Sequence, residues 1–294
     1  MDSRNLTRLF LLALIWGASF LCMRVAVPAL GPIALMEARV ALAALLLGAL
    51  ALYKGQTFWP RGHWLDFWVL GLFNTALPFV LFAWAAQTLT ASTLSILNAT
   101  APIWGALWGA LWLRQLPGLR AGAGLLIGLC GVALVVGFDP TAQTRGGLLA
   151  YAAGVLAPCC YGLATTWMKS RRSGPSPAQA AHGSMAGASL ILLPFLPFAP
   201  PAALPSAWGV VAVLVLGLVC TGVAYQMYFR LVEETGPTRA LTVTFLVPVF
   251  GVLWGHLLLG EALGLRSLIG AAVVIVGTAL STGFSLRKLL ARAP

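Results

Sequence analysis

The sequence predicts an all-α polytopic membrane protein, with ten transmembrane helices arranged as two inverted five-helix repeats and both termini in the cytoplasm. Three observations carry that prediction. The chain is 60% hydrophobic and 9% charged, with a mean hydropathy of +0.92. So much apolar surface exceeds what one soluble domain can bury, which makes lipid the solvent for most residues. Residues 90–137 recur in altered form at 236–283, with a constant offset of 146 through Pro102/Pro248, Gly105/Gly251, Trp108/Trp254, Gly109/Gly255, Arg120/Arg266, Gly124/Gly270 and Gly131/Gly277. The match extends backward through Gly71/Gly217, Thr75/Thr221 and Phe79/Tyr225, and at offset 145 through Gly17/Gly162, Arg24/Lys169 and Pro32/Pro177. Finally, the apolar runs number ten, which divides into five and five. Because five is odd, the second copy must enter the membrane from the opposite side. The repeats are taken as residues 1–140 and 141–294.

Runs of about 20 apolar residues, the length that crosses a hydrocarbon core, fall at 7–27, 33–53, 65–87, 91–113, 120–138, 147–168, 178–198, 208–229, 239–259 and 265–285. The first reads as a retained helix, since no small-residue cleavage site follows it; Trp16 and Ser19 share one of its faces. The second carries Glu37 and Arg39, two residues apart and so on different faces. A charge at the centre of a span costs about 2.5–3.5 kcal/mol. Arg39 lies shallow enough to snorkel to the outer headgroups, or to serve as an outer gate or an anchor for a substrate carboxylate. Glu37 is the candidate proton carrier.

In the third, fourth and ninth spans a proline follows a polar residue by four: Asn74 and Pro78, Asn98 and Pro102, Thr244 and Pro248. Proline removes a backbone hydrogen bond, and lipid tolerates the freed carbonyl only beside protein or a water-filled cavity. In the sixth span Pro158, Tyr161 and Thr165 lie along one face, and in the eighth Thr221, Tyr225 and Tyr228 do so. This ring of neutral polar and aromatic groups is the chemistry of a pocket for a zwitterionic or flat, mostly apolar metabolite, against the plainer reading of static kinks and packing. Gly105 and Gly109, Gly251 and Gly255, and Gly124 and Gly128 form small-xxx-small faces for close helix packing. Tryptophans at span ends, such as Trp59, Trp64 and Trp208, read as interfacial anchors.

Orientation follows from the cationic residues. Fourteen Lys and Arg fall in the termini and the loops after even-numbered spans, against three in the opposite set (Arg24, Arg145, Arg266), which places both termini inside. Asp66, Arg230, Glu233 and Glu234 then sit at cytoplasmic ends as solvated or lipid-facing groups, and Glu261 with Arg266 as an outer surface pair or helix cap. The net charge of +11 is scattered singly between apolar runs, not gathered into a nucleic-acid stripe. Cys22, Cys130, Cys159, Cys160 and Cys220 lie within apolar runs as small core residues, with no zinc or disulfide spacing. His63, His182 and His256 are far apart and outside any His-Glu-x-x-His context, and the segment His182–Gly183–Ser184 lacks a nucleophile's strand-turn-helix setting; an enzyme is disfavoured. No cofactor is expected.

Trp16-Gly17-Ala18-Ser19-Phe20, Arg39, Pro248 followed by Leu259-Gly260-Glu261, and the Gly270 to Gly277 helix together resemble the EamA-type family of the drug/metabolite transporter superfamily. The resemblance covers essentially the whole chain. It departs at one turn, where the first copy has Gln115 beside Arg114 in place of Glu261. It implies a ten-helix inner-membrane carrier working by alternating access, with the aromatic amino acid exporters of the YddG type as the nearest kind. The expected substrate is an aromatic or neutral amino acid or related metabolite, with drugs or nucleotide-like metabolites as the alternative and a passive channel as the competing class. The expected surroundings are membrane lipids and a small-molecule substrate, with no nucleic acid, and such a bundle is large enough to work as a monomer.

Overall fold

The computed structural model describes residues 3–282 apart from 56–61, 115–116, 138–142, 172, 237–239, 241 and 263. Among the described residues every regular element is helical, and seven helices are long and apolar enough to cross a membrane. We label the helices α1 (Ser3–Tyr53), α2 (Trp64–Ala85), α3 (Ala91–Trp112), α4 (Leu119–Gly137), α5 (Arg145–Ser170), α6 (Pro177–Phe198), α7 (Ala207–Thr235), α8 (Val243–Leu259) and α9 (Leu265–Ser281). The last two are apolar but shorter than the other seven.

Helix α1 covers the first two predicted spans. Its 51 residues would reach about 77 Å at 1.5 Å each, more than twice a hydrocarbon core of roughly 30 Å. Gly31 interrupts it at φ 70°, ψ 168°, between Pro28 and Pro32. Only glycine adopts that backbone without strain, and Pro32 has no N–H with which to continue the preceding turn. The result is two arms, residues 3–30 and 32–53.

Four other spans depart from simple helices, α6 by ending in a 3₁₀ turn over Leu193–Phe198. In α2 and α7, π-helical segments run Gly71–Ala76 and Val215–Val223, at equivalent places in the two copies. In α3 the helix stops at Asn98, turns through Ala99 and Thr100, and restarts at Ala101. Pro102 therefore occupies the first turn of a new helix, where a missing N–H costs nothing, and does not kink a continuous one. Its counterpart Pro248 does lie inside a helix, α8. At the start of α6 the Ser176 hydroxyl accepts from Gln179 N, and the Gln179 side chain accepts from Ser176 N, a reciprocal cap that precedes Pro177.

The helices meet in seams that come in matched pairs. A Cβ on Gly17 would lie 2.8 Å from Phe250 Cβ and 2.9 Å from Gly251 N, and one on Gly162 would lie 2.8 Å from Trp104 Cβ and 2.7 Å from Gly105 N. One contact becomes the other by adding 145 to the first residue and subtracting 146 from the second. Gly71 against Gly187 and Ala188, and Gly217 against Leu42 and Arg39 O, are a second such pair. The indole N–H of Trp254 donates to Leu14 O at 3.1 Å, and that of Trp108 to Cys159 O at 3.2 Å. Helices α4 and α9 form the most extensive pair, backbone on backbone, through Gly124, Gly128, Gly131, Gly270 and Gly277.

Several expectations are corrected. Among the described residues Gly109 meets no neighbour and forms no packing face, whereas Gly105 approaches Gly162 Cα, Gly251 presses on Ser95, and Gly255 on Ser92 and Glu261. Cys130 is exposed, outside any core. Asp66 is fully buried, not solvated: it pairs with His63 at 3.3 Å and Arg171 at 3.1 Å and accepts from the Trp167 indole at 3.1 Å. Arg230, Glu233 and Glu234 are exposed as expected, Glu234 also pairing with Arg8 at 2.6 Å and Arg4 at 3.3 Å. Glu261 does cap a helix, but one in the other copy: its carboxylate accepts from Ala91 N, Ser92 N and Ser92 Oγ at 2.6–3.0 Å, at the start of α3. Trp64 and Trp208 are exposed at the starts of α2 and α7. Trp59, Gln115 and the Arg266 side chain lie outside the described residues.

Candidate functional site

A cavity of about 520 Å³ lies between the two copies, lined from both arms of α1 and from α2, α3, α5, α6, α7 and α8, but not from α4 or α9. That volume suits a small metabolite or drug-sized molecule.

Of the residues the sequence marked, the cavity brings together Trp16, Ser19, Arg39, Asn74, Asn98, Tyr161, Thr165, Tyr225 and Thr244, with Tyr228 beside them. Pro78, Pro102, Pro248 and Thr221 do not line it. Pro78 and Pro248 are buried in their helices, and Thr221 is fully buried behind the wall. Glu37 points elsewhere too: its Oε1 accepts from Ser189 Oγ of α6 at 2.6 Å, and its buried Oε2 has no hydrogen-bond partner among the described residues.

Arg39 is where depth read from the sequence misleads. It stands six residues into the predicted span 33–53, about 9 Å along the helix, within reach of an outer surface on that count. The structure instead leaves it 6% exposed and turned into the cavity. Its Nε donates to Thr221 Oγ1 at 2.9 Å, and Thr221 donates in turn to Leu216 O at 2.8 Å. Both lie in the π-helical segment of α7, where the wider turn brings the carbonyl five residues back within reach of the hydroxyl. The guanidinium carbon sits 3.7 Å from the centre of the Phe79 ring, a cation–π contact. Among the described residues no carboxylate lies within ion-pair distance of Arg39.

The remaining walls are aromatic. Trp16 meets Tyr225 edge-on at 6.3 Å and Tyr228 at 5.4 Å; Phe20 meets Phe82 at 5.6 Å and 79°; Phe82 lies 6.4 Å from Tyr161. Such pairs hold rings in fixed offset geometries. Phe82, Phe229, Met23 and Met168 carry no mark in the sequence, as apolar residues inside apolar runs, and Phe20 and Phe79 are marked there only by the family motif and the repeat, not as lining. The repeat held a signal, since Phe79 and Phe82 are the counterparts of Tyr225 and Tyr228. The asparagines supply amide donors and acceptors, the tyrosines and threonines hydroxyls, and Arg39 a fixed charge; the set can bind and orient a solute, and contains no nucleophile–base pair.

The model of the EamA-like transporter family matches this chain twice, over residues 6–137 and 148–283. An uncharacterized transporter of Archaeoglobus fulgidus is 26% identical over 89% of this chain and 92% of its own length. The uncharacterized transporter YoaV of Bacillus subtilis is 22% identical over 94% and 96% of the respective chains. The uncharacterized inner membrane transporter YedA of Escherichia coli K12 is 25% identical over 93% and 89%. A protein of known crystal structure shares the fold with a TM-score of 0.65 at 17% identity, across 99% of this chain and 100% of its own.

Proposed function

The chain belongs to the EamA-like transporter family, and from that premise we propose that it is a secondary carrier that moves small organic solutes by alternating access through the central cavity. It is a multi-pass membrane protein of transporter type. In the finer reading it has ten spans, α1 counting twice at the Gly31 break and α8 and α9 once each, arranged as two inverted repeats with cytoplasmic termini in a bacterial-type inner membrane. The paired seams and paired π-helical segments support this reading. A related protein named as an inner membrane transporter, YedA, supports the location.

The observation that carries the mechanism is the cavity itself: it is walled by corresponding helices of both copies, so a change in how the copies pack can open either end around one bound solute. Its aromatic walls and neutral polar groups suit solutes with an aromatic or branched apolar body. Aromatic and neutral amino acids and their relatives fall in that class, with export as the direction taken from the sequence resemblance. Drugs fit the walls equally well. Nucleotide-like metabolites fit poorly, since their two or three charges would enter a cavity holding one cation.

The test is counterflow in proteoliposomes, in which internal unlabelled solute draws labelled solute in above equilibrium. A carrier gives a transient overshoot. Simple equilibration at a rate that does not saturate would mean a channel and end the alternating-access reading.

A further inference from the structure

We infer that the central cavity selects solutes with one negative charge and no positive one: an apolar or aromatic body bearing a carboxylate or sulfonate, in preference to the corresponding amino acid. This rests on the carrier reading above and names its substrate class.

Among the described residues Arg39 is the single charged side chain in the lining, it keeps its proton at any physiological pH, and it has no carboxylate partner. A cation so buried costs several kcal/mol unless an anion compensates it. The structure also explains why the guanidinium is held ready for one. Phe79 stacks on it and Thr221 takes its Nε, so the charge keeps one position in the wall and little freedom is lost when a bidentate anion arrives.

The opposite pole is missing. At the position corresponding to Arg39 the second copy has Ser184, which also lines the cavity. The nearby acid, Glu37, is turned toward Ser189 and away from the lining. An amino acid would meet Arg39 with its carboxylate but leave its ammonium with neutral acceptors and ring faces and no counter-charge, whereas the same skeleton without the amine brings no second charge to bury. Removing one partner of a charged hydrogen bond costs about 1.5–3 kcal/mol, which predicts a preference of roughly ten- to a hundredfold.

The experiment uses the full-length protein in proteoliposomes, with a counterflow panel of one skeleton: 3-phenylpropionate, phenylalanine, phenylalanine amide and 3-phenylpropionamide. Benzenesulfonate joins the panel because it stays ionised and does not leak through lipid as a weak acid does, and protein-free liposomes set the baseline. The expected result is overshoot with benzenesulfonate and 3-phenylpropionate, at least about tenfold weaker exchange of the amino acid, and loss of anion exchange in Arg39→Gln. Should Arg39→Gln not fold, Thr221→Val releases the guanidinium without removing it, and a raised KM for the anion with an unchanged KM for neutral solutes is expected. Equal or better exchange of phenylalanine overturns the anion class while leaving the carrier intact. Anion exchange indifferent to both variants overturns the assignment to Arg39. If the neutral amide alone exchanges, the inference falls and the carrier stands; if no solute of any charge exchanges, the carrier reading falls and takes the inference with it.

Discussion

The helix seams and the cavity wall descend from the same duplication but treat it differently. Along the seams equivalent contacts recur nearly unchanged: Gly17 on Gly251 and Gly162 on Gly105, Trp254 to Leu14 O and Trp108 to Cys159 O. Around the cavity the equivalents have parted: Trp16 corresponds to Tyr161, Ser19 to Ala164, Phe79 to Tyr225, Asn98 to Thr244 and Arg39 to Ser184. Backbone-to-backbone packing leaves no room for a side chain in either copy, so both keep glycine. The cavity is bounded by empty space, where each side chain can change alone, and a solute with two different ends gains from walls that differ.

The strongest way to break that comparison is at the α4–α9 seam. A Cβ on Gly277 would overlap the Gly128 backbone, and one on Gly131 would meet Val274 N at 2.6 Å. Gly277→Val and Gly131→Val should each cost about 3 kcal/mol, read as a lower unfolding midpoint in detergent. A large loss in one and none in the other would show that the seam is not reciprocal.

Next comes a feature that one copy has and the other lacks. Asp66 is buried against Arg171 and His63, and its counterpart is Ala212. Asp66→Ala should cost about 2 kcal/mol, below the full penalty for a broken buried pair because Arg171 reaches solvent. An unchanged midpoint would mark the cluster as incidental.

The glycine pair Gly109 and Gly255 sharpens the contrast further. Gly255→Ala would drive a methyl into Glu261 and Ser92 and displace the carboxylate from the start of α3, a loss of about 1–2 kcal/mol. Gly109→Ala meets nothing and should stabilise by up to about 1 kcal/mol through helix propensity. Equal effects from the two would mean that Glu261 does not hold α3.

The smallest expected effect belongs to the indoles. Trp108→Phe and Trp254→Phe should each remove one hydrogen bond worth about 1 kcal/mol, and the two losses should match. A difference above about 0.5 kcal/mol, the usual limit of additivity for independent sites, would show that one bond is not equivalent to the other.

Much of this was legible because a repeat turns one sequence into two aligned ones. Glycines shared at a constant offset marked the seams, and polar residues four before a proline marked Asn74, Asn98 and Thr244, all of which line the cavity. The prolines themselves do not, since they shape the helix from within. Asp66 looked solvated because its partner, Arg171, is 105 residues away, and only the fold brings the two together. Arg39 looked shallow for a related reason. Depth can be counted along a helix, but the direction of a side chain is set by its neighbours, and the π-helical segment that supplies Thr221 has no signature in an apolar run.

The placement of Arg39 opposite Ser184 carries a constraint of parity. An assembly of two identical half-length chains shows every residue to a shared cavity twice, so it can offer a ligand two guanidinium groups or none. A single cation, held in place by a threonine from the other half, requires two halves that are free to differ. A fused chain can therefore present one positive charge to its cavity, where a symmetric dimer presents an even number.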